Sequence, residues 1–235
     1  MVGFHAVLAA LEHQAARVEL VLVLQGAGGR ADRVLEAARR TGVRWQLVPR
    51  ARLDEVARDL AHNGFAARLA PAPLADPDEL LALPTPVCLI GLDGVEDGHN
   101  LGAVIRTAAA LALGGVVVAG PHPPPLGGAA AKVAAGSLPL VRIAHVRSLG
   151  DYARRARDAG FWAYGADRNG EPVATVDLPE RLLLCLGGEA SGLRSKTRAF
   201  LDGRLAIPIA SAIESLNLSV ATAILAWEWR RRYPA

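Results

Sequence analysis

The sequence predicts an α/β protein, a parallel sheet covered by helices on both faces and preceded by a small α/β domain. Three observations carry this. Beyond residue 87, short apolar runs alternate with helical stretches, the mark of successive β-α units. Those runs, such as "VCLIGLD" (87–93) and "RLLLCLGG" (181–188), are apolar almost throughout, as strands buried on both faces require. Before them, "APAPLADPDELLALPTP" (70–86) holds five prolines without a regular period and reads as a linker. The expected division is a domain over 1–70, a linker over 71–86 and a second domain over 87–235.

In chain order, residues 3–14 read as a helix and "VELVLVL" (18–24) as a buried strand. "GAGG" (26–29) is either a plain turn or a phosphate cradle, but no G-x-x-x-x-G-K-[ST] follows it. A helix near 31–41, a strand "RWQLVP" (44–49) and a helix near 52–60 complete the first domain. After the linker come strand 87–93, helix 101–113, strand "GGVVVAG" (114–120), a helical stretch near 129–136 and strand "LVRIAHV". "LGDYARRARDAG" is an amphipathic helix with Arg154, Arg155 and Arg157 toward its exposed side. "FWAYGAD", "RLLLCLGG" and "RLAIPIA" are strands, a short helix lies near 195–202, and a last helix spans 215–232.

Composition bounds the function. The 235 residues are 51% hydrophobic but only 5% aromatic, so the core is built from Leu, Val, Ile and Ala, and a disordered chain is excluded. Net charge is +3, and all of it sits early: residues 1–70 hold ten arginines against seven acidic residues. That favours an anionic partner such as RNA. Cys88 and Cys185 lie in apolar runs and read as buried free thiols of a reducing compartment. The N-terminus lacks a basic leader and carries Glu12, and no run is long enough for a membrane span, so a cytoplasmic location is expected. Six scattered histidines and no C-x-x-C give no metal site.

Three stretches at predicted strand ends could carry chemistry, because α/β sheets bind ligands there. In "GHNLGAVIRTAAALALGGVVV" (98–118), Asn100 is placed to cap a helix and Arg106 follows roughly 9 Å up it. Arg106 either snorkels to solvent or reaches back toward the loop. In "LCLGGEASGLRSKT", Gly187 and Gly188 permit close approach to the backbone, and Glu189 either caps the next helix or accepts hydrogen bonds from a ligand. In "LAIPIASAIESLNLSVATA", Ser215 suffices as a helix cap, whereas Asn217 within the first turn suggests a polar neighbour. No G-x-G-x-x-G follows a strand, so the usual dinucleotide fingerprint is missing.

Together, "NLGAVIRTA", "LGGEASGL" and "IPIASAIESLNLSVA" resemble, in order and spacing, the three motifs of the SpoU (TrmH) family of RNA ribose 2'-O-methyltransferases. "GFHAVLAALE" and "HNGFAA" (62–67) are similar to the opening and closing segments of the L30e-like RNA-binding domain that some members carry. The resemblance implies a SPOUT methyltransferase domain whose C-terminal part forms a trefoil knot, and a homodimer joined through that domain and the last helix. It implies S-adenosylmethionine as methyl donor, contacted by Leu186, Gly187, Gly188, Ile207, Pro208, Ile209 and Leu216. Arg106, Glu189, Ser215 and Asn217 would form the catalytic site around the ribose, with Asn100 and Arg106 on the RNA and no metal. The substrate implied is a guanosine of 23S rRNA; the alternatives are a tRNA or another rRNA ribose, or a non-catalytic RNA-binding assembly factor.

Departures from the family pattern are Gly98, Asn63, Ala134 and Ser211, the last at a position often occupied by glycine. If that position has positive φ, serine there costs on the order of 1 kcal/mol. The resemblance also implies that Arg106 takes the hydroxyl proton. A guanidinium stays charged at any working pH, so a role holding phosphate and stabilising alkoxide charge suits it better.

Overall fold

The computed structural model describes residues 1–234 apart from 58–60, 71–73, 123, 125 and 189–191. The chain forms two compact units, 1–73 with 126–139, and 74–125 with 140–235.

The first unit contains α1 (Phe4–His13), β1 (Val18–Leu24), α2 (Gly29–Thr41), β2 (Trp45–Val48), α3 (Arg50–Ala57) and β3 (Phe65–Leu69). The strands form one sheet in the order β2-β1-β3, with β2 parallel and β3 antiparallel to β1. Alternation along β1 sends Val21 and Val23 into a core with Phe4, Val7, Leu11 and Val34 of α1 and α2. On the other face, Leu22 packs with Val48, Ala66 and Leu53 of α3. Strand β3 was not anticipated. Ahead of it, Gly64 N–H donates to Nδ1 of buried His62, whose Nε2 lies 2.9 Å from Asp54 Oδ1. His62 is thus a buried residue that braces the turn leading into β3. The Asn63 that departs from the family pattern has φ 47°, a conformation asparagine tolerates.

The second unit begins inside the proline-rich stretch. There α4 (Pro77–Leu81) is capped by Asp76, which accepts from the Asp78 N–H, and it buries Leu80 completely. The elements that follow are β4 (Val87–Asp93), α5 (Gly98–Ala110), β5 (Gly115–Ala119), α6 (Gly128–Val133), β6 (Ile143–Val146), α7 (Leu149–Asp158), β7 (Trp162–Pro172), β8 (Arg181–Gly187), α8 (Ser195–Arg198), β9 (Gly203–Ala206) and α9 (Leu218–Arg230). Of these, α6 belongs to the first unit. Six strands form one sheet, β6-β5-β4-β8-β7-β9, with every pairing parallel. This is the α/β parallel sheet expected.

Val87, Leu89, Val117 and Leu183 face a core with Leu149, Tyr152 and Ala156 of α7. The alternate residues of β4 and β8 are equally buried and meet α9, which packs in turn on α5. Helix α9 is anchored at its C-terminal end: Trp229 Nε1 donates to Pro179 O at 2.9 Å, and Arg230 Nε donates to Leu111 O at 2.6 Å, beyond the end of α5. Cys88 and Cys185 are fully buried free thiols, and burial raises both well above the ordinary thiol range. No helix among the described residues is long and apolar enough to cross a membrane.

Candidate active site

The C-terminal ends of β8 and β9, with the following loop and the start of α9, enclose a cleft. Leu186, Gly187 and Gly188 form one side, and Ile207, Ile209 and Leu216 another. All six were expected to contact a cofactor. Pro208 does not line the cleft: it is exposed, because side chains on extended backbone alternate and its neighbours take the inner positions. Ser215 stands at the cleft, and β7 closes it with Asp167 and Arg168. Glu189 lies outside the described residues.

The glycines have a structural cause. A Cβ on Gly187 would sit 1.9 Å from the Gly192 carbonyl carbon and 2.2 Å from the Leu193 nitrogen. What approaches Gly187 so closely is therefore the chain's own return, closed by the Gly192 N–H donating to Gly188 O at 2.8 Å. Gly192 itself has φ +60°.

Asp93, at the end of β4, holds that return in place. Its carboxylate is 1% exposed, and Oδ2 accepts from the Arg194 N–H at 3.0 Å and from Thr197 Oγ1 at 2.6 Å. Oδ1 lies 3.7 Å from Arg194 Nε. The Asp93 carbonyl accepts from Gly188 N–H at 3.1 Å. One residue thus holds both Gly188 and Arg194.

Helix caps differ from expectation. Asp97, not Asn100, caps α5, accepting from His99 N–H at 2.9 Å. Asn217, not Ser215, caps α9, accepting from Ser219 N–H at 2.9 Å. Each helix therefore starts closer to the residue that caps it, and Ser215 is left exposed in the loop. The freed Asn100 is buried in the first turn of α5, where its Oδ1 accepts from Asn217 Nδ2 at 2.9 Å. The polar neighbour expected of Asn217 is Asn100, and their bond ties the two helix starts together.

Arg106 is exposed, on the outward stripe it shares with His99, Ala103 and Ala110. It does not line the cleft. Its guanidinium therefore lies in solvent, on the snorkelling side of the two expectations. Ser211 does not have a positive φ, so the strain considered for it does not arise.

Residues 87–227 match the SpoU rRNA Methylase family, and residues 1–75 match the domain described as RNA 2'-O ribose methyltransferase substrate binding. This chain belongs to the SpoU rRNA methylase family. It is 37% identical over 234 residues to the 23S rRNA (guanosine-2'-O-)-methyltransferase RlmB of Xanthomonas axonopodis pv. citri, covering 97% of this chain and 94% of that protein. Against the RlmB of Escherichia coli K12 the identity is 35% over 235 residues, with 96% and 95% covered. Among solved structures, the SpoU methyltransferase AviRb from Streptomyces viridochromogenes, in complex with AdoMet, is similar with a TM-score of 0.84 at 25% identity, covering 99% of this chain and 89% of that one.

The residues of this SpoU-family site that the sequence does not single out include Asp93, Asp167, Arg168 and Glu214. Asp93 carried one signal, a carboxylate ending an otherwise apolar, buried strand. Asp167 is fixed by the Asn169 N–H at 2.9 Å and by Arg204 at 3.2 Å. The Asn169 N–H first, then Arg204, hold its carboxyl below the usual carboxylate range.

Proposed function

We propose that this protein transfers a methyl group from S-adenosylmethionine to the ribose 2'-oxygen of a guanosine in 23S rRNA. The observation that carries the reading is convergence. Residues 186–188, 207, 209 and 215–216, from separate stretches of the sequence, meet in one cleft at the C-terminal end of a parallel sheet. The relatives named RlmB support the guanosine and the 23S rRNA.

The residues present suit the cofactor. Leu186, Ile207 and Leu216 offer an apolar wall for a purine, and the glycine backbone at 187–188 offers polar groups without side chains in the way. Asp167, held ionised, and Glu214 would take the cationic part, and Arg168 the carboxylate. When bound, S-adenosylmethionine supplies a methyl carbon whose bond to the sulfonium breaks, the electron pair going to sulfur. As the new oxygen–carbon bond forms, the 2'-hydroxyl loses its proton to solvent. Arg106, exposed and cationic, holds the neighbouring phosphate and stabilises charge developing on that oxygen. Asn100 and Asn217 fix the start of the helix that carries Arg106.

The reading includes a homodimer through α9. Val220, Ile224 and Trp227 recur at i, i+4 and i+7 and are 46, 36 and 54% exposed, a stripe that a second copy would cover. Arg106 stands outside the cleft of its own subunit, so one subunit completes the substrate site of the other. The reading also includes a trefoil knot. Its support is the path of the chain, which leaves β9 at the sheet edge, passes Gly187 and Gly188 along the cleft and ends in α9 against α5 and β4. The first unit acts as the L30e-like RNA-binding domain, its arginines giving salt-sensitive affinity, and the enzyme works in the cytoplasm with its rRNA.

The experiment is methyl transfer from S-adenosylmethionine carrying a tritium-labelled methyl to unmodified 23S rRNA transcripts. Wild type is expected to label the transcript, and Arg106→Lys to label it on the order of 100-fold more slowly. Lysine at near full rate would remove the planar guanidinium from the mechanism.

A further inference from the structure

On the face of the small sheet that α3 meets, Leu53 packs on Leu22, Val48 and Ala66, toward the C-terminal end of β1. Leu20 continues that face at the edge of this cluster and is only partly buried among the described residues. Leu20 pairs with Arg68 of β3, and the register of β1 with β2 sets Arg44 opposite Leu20 on the other side, since Val21 N–H donates to Arg44 O at 2.9 Å. Three neighbouring strands thus present the row Arg44, Leu20, Arg68 on one face, with Gln46 one step along beside Leu22. A groove follows this row and continues to Arg39 at the end of α2.

The chemistry of the groove is cationic and partly preorganised. Arg39 lays its guanidinium 5.5 Å from the Trp45 ring centroid, which fixes the side chain without neutralising it. Arg68 pairs with Glu19 at 2.7 Å, whereas no ion pair engages Arg39 or Arg44 among the described residues. Arg44 and Arg68 flank a middle strand, so their backbones stand about 10 Å apart. An aliphatic floor between two arginines, with an amide beside it, matches the backbone of an RNA strand, whose phosphates meet guanidinium and whose sugars meet Leu20 and Gln46.

We propose that the RNA substrate docks its phosphate backbone in this groove, on Arg39, Arg44 and Arg68, beside the partly buried Leu20. The proposal rests on the reading that the protein acts on RNA, and adds where the first unit grips it. The glycine turn at 26–29 and the arginines of α3 lie outside the groove, so charge there serves as the comparison.

The test is binding of the full-length protein to labelled, unmodified 23S rRNA transcript across a salt series. Arg44→Gln/Arg68→Gln is compared with Arg50→Gln/Arg52→Gln, which removes the same charge from α3. Losing two phosphate contacts lowers the magnitude of the log–log salt slope by about 1.4 to 1.8, twice the per-phosphate value of about 0.7 to 0.9. The groove variant is expected to show that drop, with unchanged thermal unfolding and unchanged calorimetric affinity for S-adenosylmethionine, while the α3 variant keeps the wild-type slope. Equal slopes in the groove variant and wild type, or an equal drop in the α3 variant, would overturn the proposal alone. A wild type that shows no salt-dependent binding to the transcript would overturn the RNA reading itself.

Discussion

Replacing Asp93 with alanine tests how the cleft is held. The carboxylate is 1% exposed and accepts two hydrogen bonds, from the Arg194 N–H and from the hydroxyl of Thr197, itself 2% exposed. Alanine leaves both donors without an acceptor, at about 1–3 kcal/mol each, so the expected loss is about 2–6 kcal/mol. For a chain of this size each kcal/mol lowers the melting temperature by about 2–4 °C, so the middle of that range, about 4 kcal/mol, gives about 8–16 °C. Asp93→Asn keeps one acceptor oxygen and is expected to lose about 1–2 kcal/mol, since charge-assisted bonds are about twice as strong as neutral ones. Differential scanning calorimetry reads the midpoints, and a cycle with Thr197→Val isolates the shared bond. Because Asp93 grips the loop through Gly188 and Arg194, titration calorimetry should also show weakened S-adenosylmethionine binding. A melting temperature for Asp93→Ala within about 2 °C of wild type would refute the argument.

Three further outcomes are expected. Gly187→Ala places a Cβ 1.9 Å from the backbone of Gly192, so the loop must move; cofactor affinity by calorimetry should fall at least about tenfold, and unchanged affinity would contradict the close return of the chain. The carboxyl of Asp167 is held below its ordinary value, so its stabilisation is present above about pH 4 and disappears as pH falls through the depressed value. The melting-temperature gap between wild type and Asp167→Asn should accordingly close with acidification, and a gap that stays constant would speak against it. Trp227→Glu sets a charge in the exposed stripe of α9 and should yield a monomer in sedimentation velocity; a persistent dimer would place the interface elsewhere.

The large sheet was legible because parallel strands buried on both faces write themselves as unbroken apolar runs. "VCLIGLD" and "RLLLCLG" coincide with β4 and β8, and in the small sheet "VELVLVL" coincides with β1. Strand β3 was not legible: "FAARL" is short and alanine-rich, with no β-branched residue, and takes its place by pairing with β1. In β7 the Asn169-Gly170 pair looks like a turn, yet the strand runs on to Pro172 through a register shift against β9. Ser215 and Asn217 can both cap, as can Asp97 and Asn100, and local sequence does not choose between them. The choice is made by the bond between Asn100 and Asn217, 117 residues apart. Asp93 was hidden for the same reason, since its partners lie 101 and 104 residues downstream.

The central claim is tested most directly by mapping 2'-O-methyl groups in 23S rRNA from a strain lacking this gene, complemented with wild type or with Arg106→Ala. One 2'-O-methylguanosine is expected to disappear on deletion, return with the wild-type chain and stay absent with Arg106→Ala. A 23S rRNA methylation pattern unchanged by the deletion would contradict it.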